Sequence, residues 1–518
     1  MSDKVQEHDK QVLHKMGYAQ ELSRRMGGFS NFAISFSIIC ILAGGITAFP
    51  SAFSSTGSGG VMAIWVLGGI IALIVSFSMG QIASSFPTAG GLYHWSSHLG
   101  GKAWGWATAW FNLLGLIFVV SSVDVGVFIL FQNLFLSTAL HVDVSGWAAM
   151  SSTWGPITIN WPQFIGVAII MIATGVINHY GIRLTTILTD FSGYLIFAVA
   201  ILLTITLFVF SPVALDFSRL WTFTNFTGDA GGGVIPATGS LSLAFLFGLI
   251  LICYTVTGFD ASAHTSEETT DAQVNVPKGM WTSVFYSVLF GFFMEAAFIL
   301  TMPSIKDGAA QGFNSFYYLW GASKMPGWWS VVLAFGIVLS NFLCGLAGLT
   351  STSRMMYAFA RDGGLPASKA LSHVSTQYRT PTYAIWTSLV VAFLSTIYGD
   401  AFLILATGCA VFLYLSYVMP VAAGFFAEGK TWTEKGPFNL GVWSKPAAVV
   451  SVLGGIILAI TGFFPPNERV FYLTVAMVIV MVILWYAVVR NTFEGVPEGD
   501  KIAQRQKMIA EIEKKYTD

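Results

Sequence analysis

The chain has 518 residues, of which 55% are hydrophobic and only 10% charged, with a formal net charge of −1. A soluble domain of this size carries about 25% charged residues, so the chain has too little polar surface to solvate a globule. Near-neutral charge also leaves no nucleic-acid footprint, and no nucleic-acid partner is expected.

Residues 1–29 are polar and lack an apolar core followed by a cleavage site, so they read as a cytoplasmic segment rather than a signal peptide. Apolar windows of about 20 residues, the length that crosses a bilayer, then follow at 31–53, 62–86, 104–136, 162–180, 184–211, 241–266, 281–303, 328–358, 381–398, 401–426, 447–465 and 469–490. These twelve windows predict an all-α polytopic membrane protein. The third and eighth are long, which implies tilt or extension beyond the lipid. With the N-terminus inside, the segments on the cytoplasmic side hold 21 of the 25 basic residues, and only Arg219, Lys306, Lys324 and Arg469 fall outside. That asymmetry supports the even count and predicts a cell-membrane protein with both termini cytoplasmic. The tail 499–518 is charged, with Glu511 and Lys515 four apart, and reads as a solvated helix or a frayed end. The four cysteines, Cys40, Cys253, Cys344 and Cys409, sit in apolar runs at spacings that match no zinc or redox motif, and read as packing thiols.

Two windows carry interruptions. The first contains Gly44-Gly45 near its middle with Pro50 behind, and the sixth brings Thr255, Thr257, Gly258 and Asp260 to a similar depth. Glycine weakens a helix by about 1 kcal/mol against alanine, and unwound backbone survives in a membrane only where it lines a cavity or is buried in protein. Matching breaks five spans apart predict two inverted repeats with a midplane site. The repeats would be 30–211 and 212–426, with 427–490 as two added helices and 491–518 as a tail. Free N–H groups at the half-helix N-termini suit a carboxylate, and freed carbonyls suit an ammonium group. The pair suits a zwitterion.

Several strings then resemble a known family in order along residues 20–490. They are A-G-G-I-T-A-F-P in the first span, S-S-F-P-T-A-G-G-L-Y-H-W after the second, S-S-V-D-V-G in the third, and G-F-D-A-S-A-H-T-S-E-E with N-V-P in the sixth. T-S-T-S-R-M-M-Y-A-F-A-R-D-G-G-L-P ends the eighth, and G-P-F-N-L-G-V-W follows the tenth. Together they resemble the amino acid–polyamine–organocation (APC) permeases, in the amino acid/choline branch. The resemblance implies a LeuT-like five-plus-five inverted repeat with helices 1 and 6 broken. It places the substrate carboxylate on the N–H groups of Gly44 and Gly45, beside Ala43. It places the ammonium near the carbonyls of Ile39, Cys40, Tyr254 and Val256. Tyr254 would stand at the aromatic gate and Phe259 where relatives often have tryptophan, with Thr257, Gly258 and Asp260 completing the second break. Relatives often carry a charge at the position of Ile196, a serine near Gly348 and a glutamate at Gln81. The coupling ion, H+ or Na+, is left open by these departures, and no cofactor or metal is implied.

An unpaired ionised group at the bilayer centre costs at least ~2.5 kcal/mol, which makes Asp124, Asp190, Asp260 and Glu295 candidates. Asp260 either contacts substrate or a proton, or caps the broken helix. Asp124 either holds a cationic headgroup or bonds nearby backbone. Asp190 is expected to pair with Arg183 or Arg354, and Glu295 has no assigned role. His264, one turn beyond Asp260, is either a proton relay or a structural histidine. Glu267 and Glu268 with Arg354 and Arg361 read as an inner gate of ion pairs, against a solvated helix end.

The function expected is secondary active transport of an amino acid or similar amine by a monomer or homodimer in lipid. The alternatives are a choline- or polyamine-type cation, for which Asp124 or Asp260 with Tyr254, Phe259 and Trp110 or Phe118 would form a cage, and a channel. No H-E-x-x-H or G-x-S-x-G motif supports an enzyme.

Overall fold

The computed structural model describes residues 2–155, 157–397 and 401–516. Apolar stretches have no lipid partner for their backbone groups and close them internally as helices. In chain order these are α1 (Ser2–Lys15), α2 (Gly28–Ile39), α3 (Ile41–Ser85), α4 (Leu92–Gly100), α5 (Lys102–Leu130), α6 (Trp161–His179) and α7 (Ile182–Val209). A two-stranded antiparallel hairpin, β1 (Ser151–Trp154) and β2 (Ile157–Asn160), precedes α6. Asn160 starts α6 by accepting the Gln163 N–H at 3.0 Å.

The second half holds α8 (Leu241–Gly248), α9 (Ile250–Thr255), α10 (Ala261–His264), α11 (Ala272–Thr301), α12 (Ile305–Ala310), α13 (Ser315–Ala322) and α14 (Gly327–Arg361). It continues through α15 (Ser368–Leu371), α16 (Thr382–Ser395), α17 (Ala401–Ala427), α18 (Ser444–Thr461), α19 (Glu468–Leu484), α20 (Arg490–Thr492) and α21 (Asp500–Glu513). Among the described residues nine helical stretches are long and apolar enough to cross a membrane, and the shorter apolar helices Leu241–Thr255 and Thr382–Ser395 lie between them. The chain is therefore a polytopic helical membrane protein. The first stretch, Gly28–Ser85, leaves helical geometry at Thr56 and Gly57 and divides there. Residue 398, at the end of the ninth expected window, and residues 517–518 of the tail lie outside the described residues.

The bundle centres on α5 packed against α17 and α14, and on α3 packed against α11. Small residues let these helices approach, as they must where lipid gives no hydrophobic drive. A Cβ at Gly115 would lie 2.8 Å from Leu413, and one at Gly69 would lie 2.6 Å from Val288. Both ends of the chain meet on one face of the bundle, called the terminal face below. There Gln506 donates to the His14 carbonyl at 3.0 Å, and Glu513 pairs with Lys10 at 2.7 Å.

Of the two readings of the tail the solvated helix is the one found: α21 is mostly exposed and docks on α1 through Glu513, which also accepts the Gln20 N–H at 2.9 Å. One expectation changes. Among the described residues Asp190 pairs with no arginine: it accepts the Ser30 hydroxyl at 3.0 Å, while Arg354 is taken up by Glu268.

Candidate functional site

Helix α2 stops at Ile39 because Cys40 takes up φ 27° and ψ 80°, and α3 begins at once behind it. The Cys40 carbonyl accepts the N–H groups of Ala43 at 2.8 Å and Gly44 at 3.1 Å. Gly44 N–H is thus engaged, and the free donors at this helix start belong to Ile41 and Leu42. The glycines act by their missing side chains. A Cβ at Gly44 would lie 2.8 Å from the Thr255 Cα, and one at Gly45 would lie 2.6 Å from Met294 Cε and 3.1 Å from Glu295 Oε1.

The second interruption faces the first. Helix α9 ends at Thr255, Val256 is non-helical (φ −105°, ψ 61°), and Gly258 has φ 85°, which glycine adopts without strain. Two tyrosines of α17 hold this segment. Tyr414 donates to the Val256 carbonyl at 3.2 Å, while the Tyr417 oxygen accepts the Gly258 N–H at 2.9 Å. Tyr417 then donates to Asp260 Oδ1 at 2.8 Å, and Asn112 of α5 donates to Asp260 Oδ2 at 2.9 Å. His264 Nε2 completes the set at 3.2 Å, with its Nδ1 3.1 Å from the Ala89 carbonyl. Asp260 makes no side-chain cap on α10. Phe259 is buried against the Tyr417 ring at 4.7 Å between centroids.

Between the breaks lies a cavity of about 20 Å³ lined by Ile39, Ala43, Gly44, Tyr254 and Thr257, with Val119, Val123, Cys344 and Cys409 behind them. That is room for about one water. Tyr254 donates to Ser122 at 3.3 Å and meets Phe402 edge-on at 6.2 Å. Phe402 also borders a second cavity of about 670 Å³, with Thr47, Asn133 and Tyr317, on the face opposite the termini. Asp124 and Glu295 are fully buried outside the small cavity, and neither carboxyl has a hydrogen-bond partner among the described residues. Asp124 packs against Gly345 of α14, and Ile196 and Gly348 present no charge.

Toward the terminal face the bundle is shut by two bidentate pairs. Arg354 donates Nε and Nη2 to Glu268 at 3.0 and 3.1 Å, with both side chains fully buried. Arg361 donates Nη1 and Nη2 to Glu267 at 3.0 and 2.9 Å. Burial opposes the Glu267 anion, but the Arg361 guanidinium outweighs it and holds the carboxyl below the usual glutamate range.

A layer missed in the sequence lies beneath. Asp362 accepts Tyr18 at 2.8 Å, Arg505 at 3.0 Å and His94 Nε2 at 3.2 Å. Burial works against its anion, yet the His94 hydrogen bond and the charges of Arg361 and Arg505 bring it down to about 2. Burial keeps His94 neutral, with Thr88 on its other ring nitrogen. No local sequence signal links Tyr18, His94, Asp362 and Arg505, which come from four distant segments. Tyr414 and Tyr417 were nearer to view, as a one-turn pair on an apolar helix.

Among the described residues no group of three or more His, Cys, Asp or Glu is placed to hold a metal.

A family model described as amino acid permease matches residues 26–488. The chain belongs to the amino acid permease family, within the APC superfamily. This permease is 30% identical to the amino-acid permease BAT1 of Arabidopsis thaliana, over 93% of this chain and 95% of that one. It is 31% identical to the BAT1 homolog of Oryza sativa subsp. japonica, over 83% of this chain and 82% of that one. It is also 28% identical to a GABA-specific permease of Saccharomyces cerevisiae, over 89% of this chain and 79% of that one. The permease is a transporter and not an enzyme.

Proposed function

We propose that this chain is a secondary active transporter that moves an amino acid across the cell membrane by alternating access, on a LeuT-like inverted repeat. The observation that carries the reading is the pair of chain breaks facing each other around one small cavity, with a wider cavity on one side and buried ion pairs on the other. The nine long stretches, the division of the first at Thr56–Gly57, and the two short apolar helices support twelve crossings, with α2–α3 and α9–α10 as broken helices 1 and 6. The distribution of basic residues supports cytoplasmic termini. The ion pairs are then the inner gate, and Tyr254 with Phe402 the outer one.

The substrate is a zwitterion. Its carboxylate meets the first turn of α3, where Ile41 and Leu42 carry the free donors, and its ammonium meets carbonyls at Ile39, Tyr254 and Val256. Cavity-lining side chains are uncharged, which favours an amino acid over a choline- or polyamine-type cation. One relative is named GABA-specific, so GABA belongs in the substrate panel. The volume between the breaks holds about one water, so entry requires Tyr254 and Phe402 to part. The site is complete within a single chain.

Purified protein in liposomes loaded with unlabelled amino acids or GABA tests this. Saturable uptake of labelled substrate, accelerated by substrate inside, is expected for at least one compound. Non-saturating flux without counterflow would identify a channel, and absence of flux across the panel would overturn the substrate class.

A further inference from the structure

On the terminal face, beside the start of α7, lies a cavity of about 890 Å³ that amino acid transport does not use. Its wall carries five cations, Lys10, Arg24, Arg25, Arg183 and Arg379, against one carboxylate, Glu7. Four of the cations are engaged: Lys10 by Glu513, Arg24 by Asp9, Gln20 and Ser266, Arg25 through its Nε by Ser23, and Arg379 by backbone carbonyls. Arg25 and Arg183 are exposed, and among the described residues no carboxylate lies within ion-pair distance of either. The Thr186 hydroxyl on the same wall is buried and has no hydrogen-bond partner among the described residues. A cavity wall with two exposed guanidinium groups that no carboxylate neutralises fits a phosphate-type anion.

The surroundings identify the source. Ile187, on the cavity wall, is 57% exposed, and Phe191 and Tyr194 continue the same face of α7 at 48% and 63%. Phe29 stacks on Tyr194 at 4.7 Å. A free anion has no use for this apolar stripe, whereas an acyl chain below its headgroup does. We propose that this cavity binds the headgroup of an anionic glycerophospholipid from the leaflet on the terminal face, with one chain along Ile187, Phe191 and Tyr194. The backbone N–H groups of Arg25 and Met26 donate to the Glu268 carbonyl at 2.9 and 2.8 Å, so an occupied cavity braces the residue that pairs with Arg354. The inference stands independently of the substrate reading.

Thermal unfolding of the full-length protein in detergent, with dioleoylphosphatidylglycerol, dioleoylphosphatidylcholine or inorganic phosphate added, decides it. Phosphatidylglycerol is expected to raise Tm by several degrees. Phosphatidylcholine and phosphate at millimolar concentration should leave Tm unmoved. The Arg25→Gln/Arg183→Gln variant, altered only at exposed positions, should match the wild-type Tm in detergent and lose most of the phosphatidylglycerol shift. Native mass spectrometry should retain one phosphatidylglycerol on the wild type and none on the variant. Equal stabilisation by phosphatidylcholine, an equal shift with phosphate alone, or a full shift in the double variant would each overturn the proposal.

Discussion

Asp260 is gripped by Asn112 of α5, Tyr417 of α17 and His264 of α10, so one carboxylate ties three helices to the second chain break. Asp260→Ala strands those partners in a dry interior. It should destabilise the fold by about 2–4 kcal/mol and abolish uptake while the protein still inserts. Wild-type uptake in this variant would remove Asp260 from the mechanism. At Gly44 the obstacle is backbone, 2.8 Å from an added methyl, and backbone cannot rotate aside. Gly44→Ala should cost about 1–3 kcal/mol and reduce transport in proportion to the lost fit between α3 and α9, read by Tm and initial rate.

His98 makes a further test. Burial lowers its imidazole to about 4, so the folded protein keeps it neutral. The unfolded chain protonates near pH 6.5. Stability from this residue is therefore intact above pH 6.5 and lost as pH falls toward 4. The loss amounts to about 2 kcal/mol by pH 5. The fall in Tm between pH 7 and 5 should shrink in His98→Gln, and an unchanged slope would show that other groups set it.

Among elements, α14 and the short turn Ser266–Glu268 are joined by buried ion pairs. Breaking such a pair on one side costs about 3–5 kcal/mol because a naked charge remains. Arg354→Glu or Glu268→Arg should therefore fail to give folded protein at wild-type yield, and the exchange of both should recover much of it. Failure of the exchange would mean that the shape of the site around Arg354, not the sign of the charges, governs the contact. The two ion pairs were legible because Glu267 and Glu268 close an apolar run and two arginines, seven apart, end another. Most helix positions were legible for the same reason, since twenty apolar residues have one way to satisfy their backbone in lipid. The Asp190 pairing was misjudged because nearness in sequence to Arg183 says nothing of which side of α7 faces Ser30. The Asp362 layer was invisible because sequence periodicity carries no information about contacts between distant segments.

At the scale of the whole molecule, the three cavities differ in how solvent reaches them. Cys344 and Cys409 line the small cavity and are buried, so thiol reagents reach them only when a gate opens. Alkylation of the wild type should slow in the presence of a transported amino acid and ignore non-substrates. The Cys344→Ala/Cys409→Ala variant should keep transport and lose that protection. Protection that persists without these two thiols would place the substrate elsewhere.

The two ion pairs, as the proposed inner gate, also bear on electrical behaviour. Each arginine there is matched by one glutamate, at 3.0 Å for Arg354–Glu268 and 2.9 Å for Arg361–Glu267, so neither pair carries net charge. An exit closed by neutral pairs gives the transmembrane voltage little net charge to act on. Any current that steepens with voltage would then belong to the cargo or its co-transported ion, and its size would count their charge directly.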